Sequence, residues 1–214
     1  AYVRILSVQE FLRTGRALSR AQLGKAFDDE EYIAGVTGTC HDLVRYALRR
    51  ATALDRHSVR LCRNFVADVK AQLLAFDFRN GPLRRKFDAV KYAERRCEDM
   101  LYELSLSDAD PGAAVEERQG SVLDPEEWAQ LQAAYAAHDE KRELVIKGCR
   151  DIQKAAKQAI YAAQRGDAAR AARLIEAASA GAKAVWEAHV RDTPNLRWGS
   201  FSNSLEELAE AELF

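Results

Sequence analysis

Two runs of like-charged residues in this sequence could do chemistry. In the first, Glu207 and Glu210 are three residues apart, so a helix would place both carboxylates on one face. The second run lies between Pro82 and Ser105 and is basic; its cations are Arg84, Arg85, Lys86, Lys91, Arg95 and Arg96. Carboxylate oxygens are the ligands that hard divalent cations prefer, and rows of cations bind phosphates. Taken alone, however, each run is more typical of an ordinary solvated helix face.

Helical periodicity surrounds both runs. Between Pro82 and Ser105, apolar residues recur at steps of three and four: Leu83, Phe87, Val90, Met100, Leu101 and Leu104. Similar spacing predicts helices over about 30–53, 56–78, 124–165, 168–190 and 204–214. Asp28 and Asp29 could cap the first of these, and Asp124-Pro125 is a typical helix start. The sequence therefore predicts an all-α fold, a bundle of about seven helices.

The charge balance neither supports nor excludes a nucleic-acid partner. The 214 residues include 32 Lys or Arg and 33 Asp or Glu, which gives a formal net charge of -1. Attraction for a polyanion would have to come from cations gathered on one surface. The basic run between Pro82 and Ser105 is the obvious place to look for such a surface.

The cysteines, histidines and large aromatic residues suggest structural roles. Cys40, Cys62, Cys97 and Cys149 show no CxxC spacing, which favours reduced, buried thiols over a zinc site. His41, His57, His138 and His189 show no metal-ligand spacing, so we expect surface or packing residues, and His41 is not favoured as a general base. Tyr92, Tyr102, Trp128, Trp186 and Trp198 occur at helical spacing among apolar residues and are predicted to lie in the core or an interface.

The sequence shows no sign of export or membrane insertion. Its start lacks the basic segment, apolar core and cleavage site of a signal peptide, and no apolar run is long enough to cross a bilayer. We therefore expect a soluble cytoplasmic protein, with the nucleus as the alternative, and no membrane partner.

The order of residues from Pro82 to Ser105 resembles the last helix of the translin family. His138 to Arg165 is similar to the first long helix of translin-associated factor X, a branch of that family. Placing residues 122–214 before 1–106 restores the family order and joins the end of the sequence to its start as one helical pattern. The resemblance thus implies a single, circularly permuted translin-like domain over 1–214.

Two further expectations follow from this permutation. Residues 107–121 would be a linker between the former ends, and Phe214 would lie within a few residues' reach of Ala1. Whether the permutation is natural, engineered or a product of chain numbering stays open.

The resemblance also implies a catalytic site. Glu207-Leu-Ala-Glu210-Ala211 matches a Glu-x-x-Glu-Ala motif of the factor X branch, and Asp42 occupies an acidic position in a helix that resembles the family's Tyr-x-x-Gly-Val element. In that branch such carboxylates hold a divalent metal for RNA cleavage. The implied activity is a Mg²⁺-dependent endoribonuclease, with Glu207, Glu210 and Asp42 as metal ligands and a metal-activated water as nucleophile.

One departure from the family pattern favours a different function. The catalytic branch carries a further Asp one helical turn before Asp42, whereas this chain has Gly38. The alternative is a non-catalytic nucleic-acid-binding or scaffold subunit, in which Asp42 is a capped residue or an ion-pair partner of the nearby Arg45.

The resemblance finally implies the partners. Translins bind single-stranded RNA or DNA inside a hollow oligomer, through basic residues at the positions of Arg84 to Lys86. The candidate contacts are Arg84, Arg85, Lys86, Lys91 and Arg150. The implied assembly is an octamer-like shell, formed by copies of this chain or together with a translin-like subunit.

Overall fold

The computed structural model describes residues 1–24, 26–79, 81–107 and 120–214 of the chain. These residues form seven α-helices and no strand, which confirms the predicted all-α fold. The helices are α1 (Tyr2–Thr14), α2 (Asp29–Thr52), α3 (Arg56–Leu73), α4 (Pro82–Ser107), α5 (Pro125–Gln164), α6 (Ala168–Val185) and α7 (Ser200–Leu213). Residues 108–119, which make up most of the predicted linker, lie outside the described residues.

The chain divides into two compact units, Ala1–Ala136 and Ala137–Phe214, and the boundary falls within α5. Each unit is described by itself. The single permuted domain and the proximity of Ala1 and Phe214 concern both units, and they stay predictions.

Acidic caps fix the starts of several helices. Asp28 accepts a hydrogen bond from the Glu31 backbone N–H at 2.7 Å, and the Glu31 side chain accepts one from the Asp28 N–H, completing a capping box. At the starts of α3 and α6, the Asp55 and Asp167 side chains accept from the backbone N–H groups of Ser58 and Arg170, and Asp124 accepts from the Glu126 N–H at 3.0 Å. These caps satisfy backbone donors that the first helical turn leaves unpaired, so the starts are encoded locally.

The core of the first unit lies where α2 packs against α1, α3 and α4. Its fully buried members include Tyr32, Ile33, Val36, Leu43, Phe65, Val66, Val69 and Val90. Trp128, at the start of α5, is buried with its ring centroid 6.1 Å from those of both Tyr32 and Phe76. Trp128 is therefore a core residue, as its spacing predicted.

Gly35 sets the close approach of α1 to α2. A Cβ atom at this position would lie 2.6 Å from Val3 Cβ, closer than packed side chains allow. Only glycine lets the two helices meet at this distance, and the contact fixes where the next residue of α1, Arg4, emerges.

The second unit has a smaller core, built from the last part of α5 with α6 and α7. Val145, Ile152, Val190 and Phe201 are its larger buried members, and Ala178 and Ala182 fill the narrower places. At Gly148, a Cβ atom would lie 2.5 Å from Val185 Cγ2, so this glycine also permits close packing of α5 and α6.

Three helix boundaries differ from those that periodicity predicts. After Leu73 the chain leaves α3, which lets the Phe76 and Phe78 rings stack at 5.2 Å against the core. Helix α6 passes into a π-helical turn, Trp186–Val190, and α7 begins at Ser200 rather than Ser204. Apolar spacing detects neither a stacked aromatic pair nor a change of helical pitch, so it misplaces these ends.

All four cysteines are described, buried and free. Burial raises the pKa of the Cys62 and Cys97 thiols to about 12, so they stay protonated at neutral pH. The prediction of reduced, buried thiols is confirmed. Among the helices that the structure describes, none is both long and apolar enough to cross a bilayer.

Candidate functional site

Helix α4 presents an exposed basic surface. Arg84, Arg85, Lys86 and Lys91 are all exposed, whereas Leu83 and Val90 of the same helix are buried in the core. We call these four cations the α4 basic face. The amphipathic pattern of the sequence thus places them in solvent, where a phosphate chain could reach them.

The cations of the α4 basic face have few competing partners. Arg84 pairs with Asp88 across one helical turn at 3.2 Å, and both side chains are about half exposed. Lys86 Nζ donates to the Ala34 carbonyl oxygen at 3.4 Å. Within the described part of the chain, Arg85 has no hydrogen-bond or ion-pair partner. Weak or absent pairing leaves these charges available to an external anion.

A groove of about 440 Å³ runs between α2 and α4, beside the α4 basic face. Its polar rim is His41 and Arg45 from α2 and Tyr92 and Arg96 from α4, and its apolar lining is Val44, Leu48, Ala89 and Ala93. We call it the α2/α4 groove. Sequence reasoning missed it as a site, although 41, 45 and 48 on α2 and 89, 92 and 96 on α4 each follow helical spacing along one face.

Tyr92 is the most exposed aromatic residue of this groove. Its side chain is 65% exposed, and the Lys91 ammonium lies 4.9 Å from the ring centroid. Tyr102 and Trp198 are also exposed, so none of these three residues lies in the core, and the alternative of an interface position stays a prediction. Periodicity placed them near apolar neighbours but could not tell which side of the stripe faces solvent.

Asp42 is held by Arg4. The guanidinium donates from Nε to Oδ2 and from Nη2 to Oδ1, each at 2.5 Å, so both carboxylate oxygens are engaged. The predicted alternative of an ion pair is correct in kind, but the partner is Arg4 on α1 rather than Arg45. The hydrogen bonds from Arg4 lower the pKa of Asp42 from its ordinary value and raise that of Arg4.

Gly38 leaves room for this ion pair. A Cβ atom at Gly38 would lie 3.1 Å from Arg4 Cδ, so the Arg4 side chain passes directly over this glycine to reach Asp42 one turn later. The departure at Gly38 and the engagement of Asp42 are therefore one structural feature.

The acidic pair of α7 belongs to the second unit. Glu207 Oε1 lies 3.1 Å from Lys157 Nζ, and Glu210 is exposed. The buried side of α7 carries Phe201, Ser204, Leu208 and Ala211 instead. The two glutamates share one side of the helix, as their spacing predicted, but Lys157 already neutralises one of them.

The three carboxylates of the implied Mg²⁺ site come from both units of the chain. No group of three His, Cys, Asp or Glu side chains with metal-binding geometry occurs among the described residues. Asp42 lies in the first unit and the two glutamates lie in the second, and the metal assignment of Asp42, Glu207 and Glu210 stays a prediction. Arg150 is an exposed residue of α5 in the second unit, and its role in binding nucleic acid also stays a prediction.

Comparison with known proteins decides the family. The translin family model matches residues 1–108, half of the 214-residue chain, and this region includes α1 to α4. The chain belongs to the translin family. Its match therefore contains the α4 basic face, the α2/α4 groove and the Arg4–Asp42 ion pair, but not α7.

Curated translins agree with this assignment. The translin of Gallus gallus is 28% identical over 83 residues, and those of Cricetulus griseus and Homo sapiens are each 26% identical over 83 residues. The alignment covers 39% of this chain and 36% of each relative, so the chain spans just over a third of the length of the curated translins that it matches. No solved structure matches significantly.

Proposed function

We propose that this translin-family chain binds single-stranded RNA or DNA through the α4 basic face. Membership of the family supports this function. The observation that carries it is the exposure of Arg84, Arg85, Lys86 and Lys91 on one helix, with few competing acidic partners. Because the net charge of the chain is -1, attraction for a polyanion has to come from such a local group of cations.

Binding of this kind depends steeply on salt. Each phosphate that a cation neutralises releases a condensed counterion, and for single strands the slope of log affinity against log salt is about -0.7 per phosphate contact. Removing two cations from the α4 basic face should therefore make the slope shallower by about 1.4 as well as weaken binding.

The test compares two double variants that change the net charge equally. Arg85→Glu with Lys86→Glu alters the α4 basic face, and Arg170→Glu with Arg173→Glu alters two exposed cations of α6 in the other unit. Fluorescence anisotropy with a labelled single-stranded RNA is measured from low to moderate KCl. We expect the first variant to lose at least about tenfold in affinity and the second to lose far less. Equal losses would show that binding is not localised to α4.

A second candidate function is Mg²⁺-dependent endoribonuclease cleavage of the bound strand. The observation that favours it is the exposure of Glu210 one turn from Glu207 on α7. Against it stand the Arg4–Asp42 ion pair and Gly38, which support a non-catalytic binding subunit. Labelled RNA incubated with the protein and MgCl₂ separates the two. Cleavage that Glu210→Gln abolishes supports the nuclease, and cleavage unaffected by Glu207→Gln and Glu210→Gln excludes these ligands.

The family resemblance supports two further proposals about the whole protein. We propose that the chain acts as an oligomer of translin-like subunits, of its own kind or mixed, up to an octamer, and that it works in the cytoplasm. Light scattering of the purified chain gives its mass in solution directly. A monomer at micromolar concentration would show that assembly needs a partner subunit.

A further inference from the structure

The α2/α4 groove has the features of a site for a nucleic-acid base. We propose that one base of a bound single strand stacks on Tyr92 in this groove, while the phosphates on either side of it contact Arg45 and Arg96. This inference rests on the proposed binding of single strands and adds a specific base-binding subsite to it. The α4 basic face alone would contact phosphates and leave the bases free.

The shape and chemistry of the groove suit a planar base. A volume of about 440 Å³ is in the range of small-molecule sites, and Val44, Leu48, Ala89 and Ala93 give it an apolar lining. Such a lining contacts the faces of any base, and the hydrogen-bonding groups of the groove lie on its rim, where Arg45 and Arg96 are assigned to phosphates. The subsite should therefore accept all four bases, as stacking platforms do.

Tyr92 is the natural stacking partner. The residue is 65% exposed, and its ring makes no contact with another aromatic ring within the described part of the chain. Stacking of a base on an exposed aromatic side chain makes the free energy of binding more favourable. The Lys91 ammonium, 4.9 Å from the ring centroid, would stay close enough to contact the strand's phosphate.

The charge of the groove argues for a nucleic acid over a second copy of this chain. Arg45 and Arg96 are both exposed on its rim, and none of the eight residues that line it is acidic. A protein partner would have to bury two arginines, at a cost in desolvation unless it supplied acids of its own. A phosphodiester strand brings its own negative charges at every nucleotide.

The experiment separates base stacking from phosphate contact. The probes are a fluorescein-labelled single-stranded RNA and a strand of equal length and charge in which every base is absent. We expect Tyr92→Leu to weaken binding of the normal strand about tenfold and binding of the abasic strand by less than about twofold. Tyr92→Phe keeps the ring and should bind both strands like the parent. A 2-aminopurine placed in the strand should lose fluorescence on binding to the parent and much less with Tyr92→Leu.

The outcomes distinguish this inference from the proposed function. Equal weakening of both strands by Tyr92→Leu, or no weakening of either, overturns the stacking subsite. If Tyr92→Leu changes the mass of the protein measured by light scattering but not its affinity for RNA, the stacking subsite is also overturned. That result would identify the groove as a contact between copies of the chain. If the parent binds neither strand, the proposed function itself fails. Arg85→Glu with Lys86→Glu serves as the reference, because it should weaken both strands alike.

Discussion

Asp42 on α2 and the Glu207/Glu210 pair on α7 are all predicted metal ligands in the sequence. In the structure they differ in how fully neighbouring side chains engage their oxygens. Arg4 engages both oxygens of Asp42, whose side chain is 27% exposed. Glu207 has one contact, with a Lys157 side chain that is 63% exposed, and Glu210 faces solvent. A motif therefore identifies an acidic side chain, but its neighbours determine whether its oxygens are free to bind a ligand.

The difference originates in how α1 meets α2. Gly35 brings the two helices together, and Gly38 leaves the space through which Arg4 crosses to Asp42. Helix α7 buries Phe201, Ser204, Leu208 and Ala211, and its Glu207 has an ion pair with a largely exposed Lys157 instead of a bidentate arginine. If this comparison is correct, changes at α1 and α2 should have large effects and changes at α7 small ones.

The largest effect should come from Gly35→Ala. The added Cβ would lie 2.6 Å from Val3 Cβ, so α1 would have to move away from α2. Overpacking of this kind costs about 3 kcal/mol, and the better helix propensity of alanine returns about 1 kcal/mol. We expect the free energy of unfolding to fall by about 2 kcal/mol in urea denaturation followed by circular dichroism.

Gly38→Ala is the matched control, one turn along the same helix. Its Cβ would meet Arg4 Cδ at 3.1 Å, at a flexible side chain that can shift by a few tenths of an ångström. Here the gain in helix propensity should offset the crowding, so that stability is unchanged or about 1 kcal/mol higher. A loss at Gly35 no larger than that at Gly38 would contradict the close approach of α1 to α2 at Gly35.

The next effect in size should come from Arg4→Met and should depend on pH. Because Arg4 lowers the pKa of Asp42, the ionised carboxylate stabilises the fold above its unfolded pKa of about 3.9, and this contribution is lost as pH falls through the folded value. Both side chains are partly exposed, so solvent screening limits the contribution to about 1 kcal/mol.

Unfolding free energies of the parent and Arg4→Met should therefore differ by about 1 kcal/mol at pH 7 and converge near pH 2. The single variant Asp42→Asn and the double variant with Arg4→Met complete a thermodynamic cycle. Without the Asp42 carboxylate, Arg4→Met should no longer cause a difference in unfolding free energy that depends on pH. A difference that persists at low pH would mean that Arg4 stabilises the fold through packing of its aliphatic carbons alone.

Most of the fold could be predicted from the sequence because it is encoded locally. The Asp28 capping box, the Asp124 cap of α5 and the apolar stripe of α4 each involve residues within a turn or two of one another. The errors occur where tertiary packing overrides that pattern. Phe76 and Phe78 end α3 early by stacking, and Gly199, with a φ of 81°, precedes a longer α7.

The site could be predicted less fully, because its parts come from distant segments. The exposure of the α4 basic face follows from one helix and was expected. Arg4 and Asp42, by contrast, are 38 residues apart, and periodicity within α2 suggested Arg45 as the partner. The α2/α4 groove needs two helices side by side, so neither stripe alone reveals that Arg45 and Tyr92 line one cavity.

The smallest effects should come from α7, and they test the other side of the comparison. Glu207→Gln removes one exposed ion pair with Lys157, which is worth about 0.5 kcal/mol or less, and Glu210→Gln should leave stability unchanged.

Thermal unfolding in MgCl₂, compared with NaCl of equal ionic strength, tests whether the Glu207/Glu210 pair binds metal. A cation bound only by the folded state must raise the melting temperature through mass action, whereas screening acts equally in both salts. Since Lys157 already neutralises Glu207, we expect no Mg²⁺-specific rise. A rise in the parent that Glu210→Gln abolishes would instead show that two carboxylates on one exposed helix are enough to bind the ion.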